Sequence, residues 1–229
     1  MLVIGRGSGI ARAVTEAARA AGAQVVVAGR DGDKLASAYD DPRVSSEIVD
    51  LTDDASIELL AGRLHGVDHV VCTASARARG TLAELDRDKV RLSFDTKVIG
   101  PVMLAKHLGP KISEGGSLVI FSGASAFRIS AGTLAVAMTN GAADTLTRSL
   151  AVEMAPIRVN AISPGTVDTG AWDALGEQAK TSLFERTART NPARRVGQSE
   201  DIAAAVLFCM ANTFLTGVTL KVDGGEVLV

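Results

Sequence analysis

Residues 2–14 read LVIGRGSGIARAV. A short apolar run stops at a glycine, and an Ala-rich amphipathic stretch begins a few residues later. The reading is strand one (MLVIG), a tight turn, and a helix over 9–21. Glycines at 5, 7 and 9 keep side chains out of the turn, and the helix start offers backbone N–H groups without partners. That combination is a cradle for a pyrophosphate. The spacing is not G-x-G-x-x-G, because Ile10 would hold the third place. G-x-x-x-G-x-[G/A] fits at Gly5, Gly9 and Ala11. The expected cofactor-binding turn is therefore Gly5, Arg6, Gly7, Ser8, Gly9 and Ile10. Glycine serves tight turns whatever the ligand, so the strand before and the helix after carry the inference.

The rest of the chain repeats the alternation. AQVVVAG, VSSEIVD, VDHVVCTA, GSLVIFSG, IRVNAIS and GVTLKVDGG read as strands. Helices are expected near 32–38, 54–65, 86–112, 133–154 and 199–211, and a polar, partly helical insert at 170–195. Continuous apolar strands alternating with helices predict a doubly wound α/β domain with a parallel sheet covered on both faces. No internal repeat or Pro/Gly linker divides the chain, so 1–229 reads as one domain. A hydrophobic fraction of 47% is ample for a large core. A formal net charge of -2 gives no electrostatic case for nucleic acid or an acidic membrane. Cys72 and Cys209 lie in apolar runs and read as buried thiols. His65, His69 and His107 form no ligand cluster, and no metal site is expected. With strand one at the start and no secretory leader, the expected location is cytoplasmic.

At the end of strand two, Arg30 stands where an NAD-binding protein carries an acid for the ribose 2′-hydroxyl. A guanidinium there suits a 2′-phosphate, so NADP(H) is expected over NAD(H), with Arg6 adding a second cation. The alternative is a solvated Arg before a helix. Asp50 and Leu51 close strand three, where an adenine amino group can be read. Asp50 also competes with Asp53 for a helix cap.

Together IGRGSGIA, DLTD, IRVNAISPGTVDT (157–169) and RRVGQSEDIAAAVLFC…TGVTLKVDGG (194–225) resemble the short-chain dehydrogenase/reductase family over essentially the whole chain. The resemblance implies one Rossmann-type domain with a seven-stranded parallel sheet, a nicotinamide cofactor and a small-molecule carbonyl or alcohol substrate. It also implies a homodimer or homotetramer, or a hetero-oligomer with an active homologue. It places Pro164, Gly165, Val167 and Thr169 beside the nicotinamide. It puts Thr73, Ala74 and Ser75 in the loop after strand four, where the family carries Asn-Asn-Ala-Gly. The insert 170–195 corresponds to the substrate-covering segment. Within it Trp172 reads as a substrate cover or a packing residue, and Lys180, Arg186, Arg189, Arg194 and Arg195 as an anion-preferring set or a solvated helix face.

The resemblance also exposes a departure. Its reaction uses a Tyr and a Lys four residues later on one helix face, a Ser on strand five, and an Asn on the preceding long helix. Those positions fall on Val136, Asn140, Gly123 and Lys97, and the only Tyr is Tyr39. Ser122 is one residue from the Ser position, a shift that turns a strand side chain to the other face. Lys and Asn are exchanged between the two helices. The expected catalytic set is therefore Lys97, Asn140 and Ser122, with Lys97 a cation beneath the cofactor or a proton donor. The competing expectation for Lys97 is an ordinary solvated lysine, and for the whole chain a catalytically silent cofactor-binding subunit or regulator.

Overall fold

The computed structural model describes residues Met1–Val229. Seven strands form one parallel sheet: β1 (Leu2–Ile4), β2 (Val25–Gly29), β3 (Val44–Ile48), β4 (Val67–Cys72), β5 (Ile112–Phe121), β6 (Arg158–Pro164) and β9 (Thr219–Val222). Their order is β3-β2-β1-β4-β5-β6-β9. The order reverses between β1 and β4, and in open α/β sheets a ligand crevice opens beyond the strand C-termini at that point.

Alternate side chains on each strand serve opposite layers. Leu118 and Ile120 of β5 join one core with Ile57 and Leu60 of α3 (Asp54–Arg63), Leu104 and Leu108 of α5 (Gly100–Leu108), and Ala143 and Leu150 of α6 (Leu134–Glu153). Val119 and Phe121 join the other, with Val14 and Ala18 of α1 (Gly9–Ala20) and Ile202, Val206 and Cys209 of α8 (Ser199–Ala211). This two-sided burial explains why the strands lack an alternating polar pattern. No helix is long and apolar enough to cross a membrane.

The sequence boundaries hold to within a few residues, with two local departures. The helix expected over 86–112 is α4 (Arg87–Phe94), a π-helical turn (Asp95–Ile99) and α5, followed by a short 3-10 turn. The Gly100 N–H donates to Asp95 O, the i→i+5 bond of that turn. A further two-stranded parallel ladder pairs β7 (Val167–Asp168) with β8 (Gly197–Gln198), tying both ends of the insert together. Between them, α7 (Glu177–Thr190) fills most of the insert.

Arg158, at the start of β6, is 6% exposed and has no carboxylate partner. Its guanidinium donates to Cys209 O (2.6 Å), Met210 O (2.8 Å) and Asn212 O (2.9 Å), closing the C-terminal end of α8. A cation there satisfies open carbonyls and the negative end of the helix dipole. Arg158→Met leaves those carbonyls without donors. The expected loss is about 2–4 kcal/mol of unfolding free energy, seen as a lower urea midpoint with unchanged slope. An unchanged midpoint would show that the cap contributes nothing.

Candidate active site

The glycine turn sits at the switch point, and its neighbours leave room for nothing larger. A Cβ on Gly5 would overlap Thr73 Oγ1, and one on Gly9 would lie 2.8 Å from Thr169 O. Gly9 also has φ +55, which an L side chain rarely adopts. Ser8 caps α1 without a side-chain hydrogen bond, so the first-turn N–H groups remain open toward the crevice. The Thr73 N–H and hydroxyl both donate to Ile4 O (2.8 and 3.1 Å), locking the loop after β4 against β1. Two residues on, the buried Ser75 Oγ has no hydrogen-bond partner. An orphaned hydroxyl beside an open helix N-terminus fits a polar ligand in this crevice.

Arg30 follows β2, exposed and without an ion-pair partner, and is near enough to Asp50 to help pull its carboxyl down. Burial is the largest single influence and raises it, and the Thr52 hydrogen bonds together with Arg30 outweigh burial. Asp50 uses one oxygen on Thr52 N and Thr52 Oγ1, while Asp53 supplies the cap of α3 through Ala55 N. The sequence competition for the cap thus resolves to Asp53. On the opposite rim, the Pro164–Thr169 loop is pinned from the C-terminal tail. Glu226 accepts from Thr166 N (2.6 Å) and Thr166 Oγ1 (3.2 Å). Gly165 is required there, since a Cβ would lie 2.8 Å from the Asp223 backbone Cα. No feature of the sequence pointed to Glu226.

Lys97, Ser122 and Asn140 meet beneath this crevice. Lys97 projects from the π-helical turn and is 8% exposed, which replaces the expectation of a solvated lysine. Its Nζ donates to Ser122 O (2.9 Å) and is hydrogen-bonded to Asn140 Oδ1. Asn140, on α6, uses its amide N–H to reach Ser125 Oγ (2.9 Å). The Ser122 hydroxyl donates to Asn140 O (3.0 Å), so its side chain faces α6 and its carbonyl, not its hydroxyl, serves Lys97. Ser125 was not in the catalytic set expected from sequence. Its own proton has no acceptor within the protein. Val136, one turn before Asn140, is 7% exposed and brings no polar atom.

Gly123 follows from Asn140. A Cβ at position 123 would lie 2.8 Å from Asn140 Nδ2. The space a larger residue would need is already filled by the amide that holds Lys97. Burial, and then the like charge of Arg77, push the Lys97 amine down to about 7.

These elements define a dinucleotide-binding α/β domain with a polar cluster beneath its cleft. A family model described as enoyl-(acyl carrier protein) reductase matches residues 4–226. The chain is 30% identical to the short-chain dehydrogenase/reductase ATR9 of Stachybotrys chlorohalonatus, over 100% of this chain and 96% of the relative. A crystal structure of a small-chain dehydrogenase in complex with NADPH superposes with TM-score 0.85 at 29% identity, covering 100% of this chain and 98% of the other. An NADPH-bound short chain oxidoreductase from Pseudomonas aeruginosa PAO1, described as containing an atypical catalytic center, superposes with TM-score 0.89 at 25% identity, covering 98% and 95%. The chain belongs to the short-chain dehydrogenase/reductase family of oxidoreductases.

Two outcomes follow from the buried cluster. Gly123→Ser is expected to cost about 1–3 kcal/mol through overlap with Asn140, and much less in an Asn140→Ala background. Additive energies in the double-mutant cycle would break the link. Lys97 also ties stability to pH. Its ordinary value is 10.5 and its folded value about 7. Between them the unfolded chain holds a proton that the folded chain does not, so stability rises with pH across that window. The Tm of the wild type should therefore climb more from pH 7 to pH 10 than that of Lys97→Met. Parallel curves would remove Lys97 as the source.

Proposed function

We propose that this chain is an NADP(H)-preferring oxidoreductase of a carbonyl/alcohol pair in which Lys97 and Asn140 replace the family's tyrosine-centred proton chemistry. The observation that carries this reading is the buried hydrogen-bonded cluster of Lys97 and Asn140 below a glycine-lined cleft. By the family resemblance, Val136, Asn140, Gly123 and Lys97 stand where Tyr, Lys, Ser and Asn are expected. The cluster gives the Lys–Asn exchange a structural meaning, because the two side chains meet.

Gly5, Arg6, Gly7, Ser8, Gly9 and Ile10 would hold the cofactor pyrophosphate at the N-terminus of α1. Arg30, aided by Arg6, would hold a 2′-phosphate, and Asp50 with Leu51 would border the adenine. Thr73, Ala74 and Ser75 on one side, and Pro164, Gly165, Val167 and Thr169 on the other, would border the nicotinamide. When bound, the cofactor supplies or accepts the hydride. The protein's own part is the proton. An amine titrating at about 7 is present in both forms near neutrality, the condition for giving and taking a proton efficiently. Asn140 holds the amine through Oδ1 and Ser125 through its amide, leaving the Ser125 proton free for a substrate oxygen.

Val136 supports a second reading. It has no proton to exchange and closes its position with an apolar side chain, which suits a catalytically silent cofactor-binding subunit. Nucleotide fluorescence titration and turnover on an activated dicarbonyl such as phenanthrenequinone separate the two. The first reading expects NADPH to bind more tightly than NADH, and Arg30→Ala to cost roughly 10–100-fold in NADPH affinity only. It expects Lys97→Met to lower kcat by about 10²–10⁴-fold with NADPH still bound. Tight NADPH binding without turnover on any activated carbonyl favours the silent subunit. Failure to bind either nucleotide overturns both.

A further inference from the structure

Beyond the cofactor crevice, the loop after β4 faces the insert across an open, largely solvent-exposed cavity of about 570 Å³. Its walls include Arg79 from the loop, Trp172, Leu175, Ala179 and Leu183 from the insert, and Arg186 from α7. The Arg79 guanidinium lies over the Trp172 ring, 5.2 Å from its centroid. The Trp172 indole N–H donates to Val167 O (3.0 Å), so the ring is anchored to the loop that forms the cofactor rim.

The cations of the insert and of the loop differ in how they are partnered. Lys180 is paired with Asp168 and Asp173, and Arg195 with Asp201. Arg194 is spent on Arg189 O. Of the insert's basic residues named from sequence, these three serve the protein itself. Arg79 and Arg186 belong to no ion pair, and neither do Arg189, Arg77 and Arg6; of these, Arg79 and Arg186 line the cavity. Arg77 stands within electrostatic reach of Arg79 and of Arg6, so like charges run from the cofactor turn to the cavity mouth. A row of cations without carboxylates is relieved by anionic ligands. A cofactor phosphate would answer Arg6. Arg79 and Arg186 line the cavity beyond it and are open to a second anion.

We propose that this cavity takes an amphipathic organic anion, its carboxylate or phosphate head held by Arg79 and Arg186 and its apolar body against Trp172, Leu175, Ala179 and Leu183. Planar guanidinium groups suit either head group, and the apolar wall selects against small inorganic anions. That the anion is the substrate of the adjoining cleft rests on the oxidoreductase reading; that it binds does not.

Trp172 is the only Trp in the chain, so its emission reports this cavity alone. The full chain is titrated at low salt with 4-phenylbutyrate, phenyl phosphate and neutral 4-phenyl-1-butanol. The expected result is a saturable change with at least one anion, and a neutral compound at least tenfold weaker. Arg79→Gln and Arg186→Gln should each weaken the anion tenfold or more and leave the alcohol unchanged. Both side chains are exposed, and unchanged thermal unfolding checks that the variants fold. The preferred anion identifies the head group as carboxylate or phosphate. Equal binding of anion and alcohol, anion binding unaffected in the double variant, or no response to either anion overturns the site. NADPH binding, followed in parallel by nucleotide fluorescence, keeps the two readings apart. Anion binding without nucleotide binding sinks the oxidoreductase reading and spares the cavity. The reverse result sinks the cavity alone.

Discussion

An amine buried to 8% exposure must be satisfied inside the protein, and around Lys97 the structure arranges itself to do so. The helix carrying it departs into a π turn. The strand beside it lends the carbonyl of Ser122. The facing helix lends Asn140, whose backbone carbonyl is fastened in turn by the Ser122 hydroxyl. Gly123 then follows, because the amide already fills the space a side chain would need. Each of these residues looks ordinary alone, and their meaning lies in mutual contact.

The crevice above obeys a different constraint, the close approach of neighbouring atoms to glycine backbone. Gly5 sits against Thr73, Gly9 against Thr169, and Gly165 against Glu226. Three segments far apart in sequence thus form a rim with few side chains. Its cations have no internal carboxylates, whereas basic residues a few positions away do.

Much of the architecture was legible because parallel sheets buried on both faces leave a strong signal. Strands read as unbroken apolar runs, and helices as amphipathic stretches between them. Helix 199–211 coincides with α8, and the doubly wound class follows from the alternation. The π turn escaped notice because one widened turn changes neither composition nor periodicity enough to read. The β7–β8 ladder has two residues on each side, too few for any pattern. The roles of Ser125 and Glu226 could not be read because they depend on partners 15 and 60 residues away.

The sequence by itself determined the fold class, the glycine turn that opens α1, the Arg at the end of β2, and the absence of a tyrosine from the later helix. These are properties of local composition and spacing, which survive in one dimension. Tertiary structure alone decided that Lys97 is buried, that it touches Asn140, that the Ser122 hydroxyl turns to α6, and which arginines of the insert stay unpaired. Burial and pairing are relations between distant segments, and packing alone sets them.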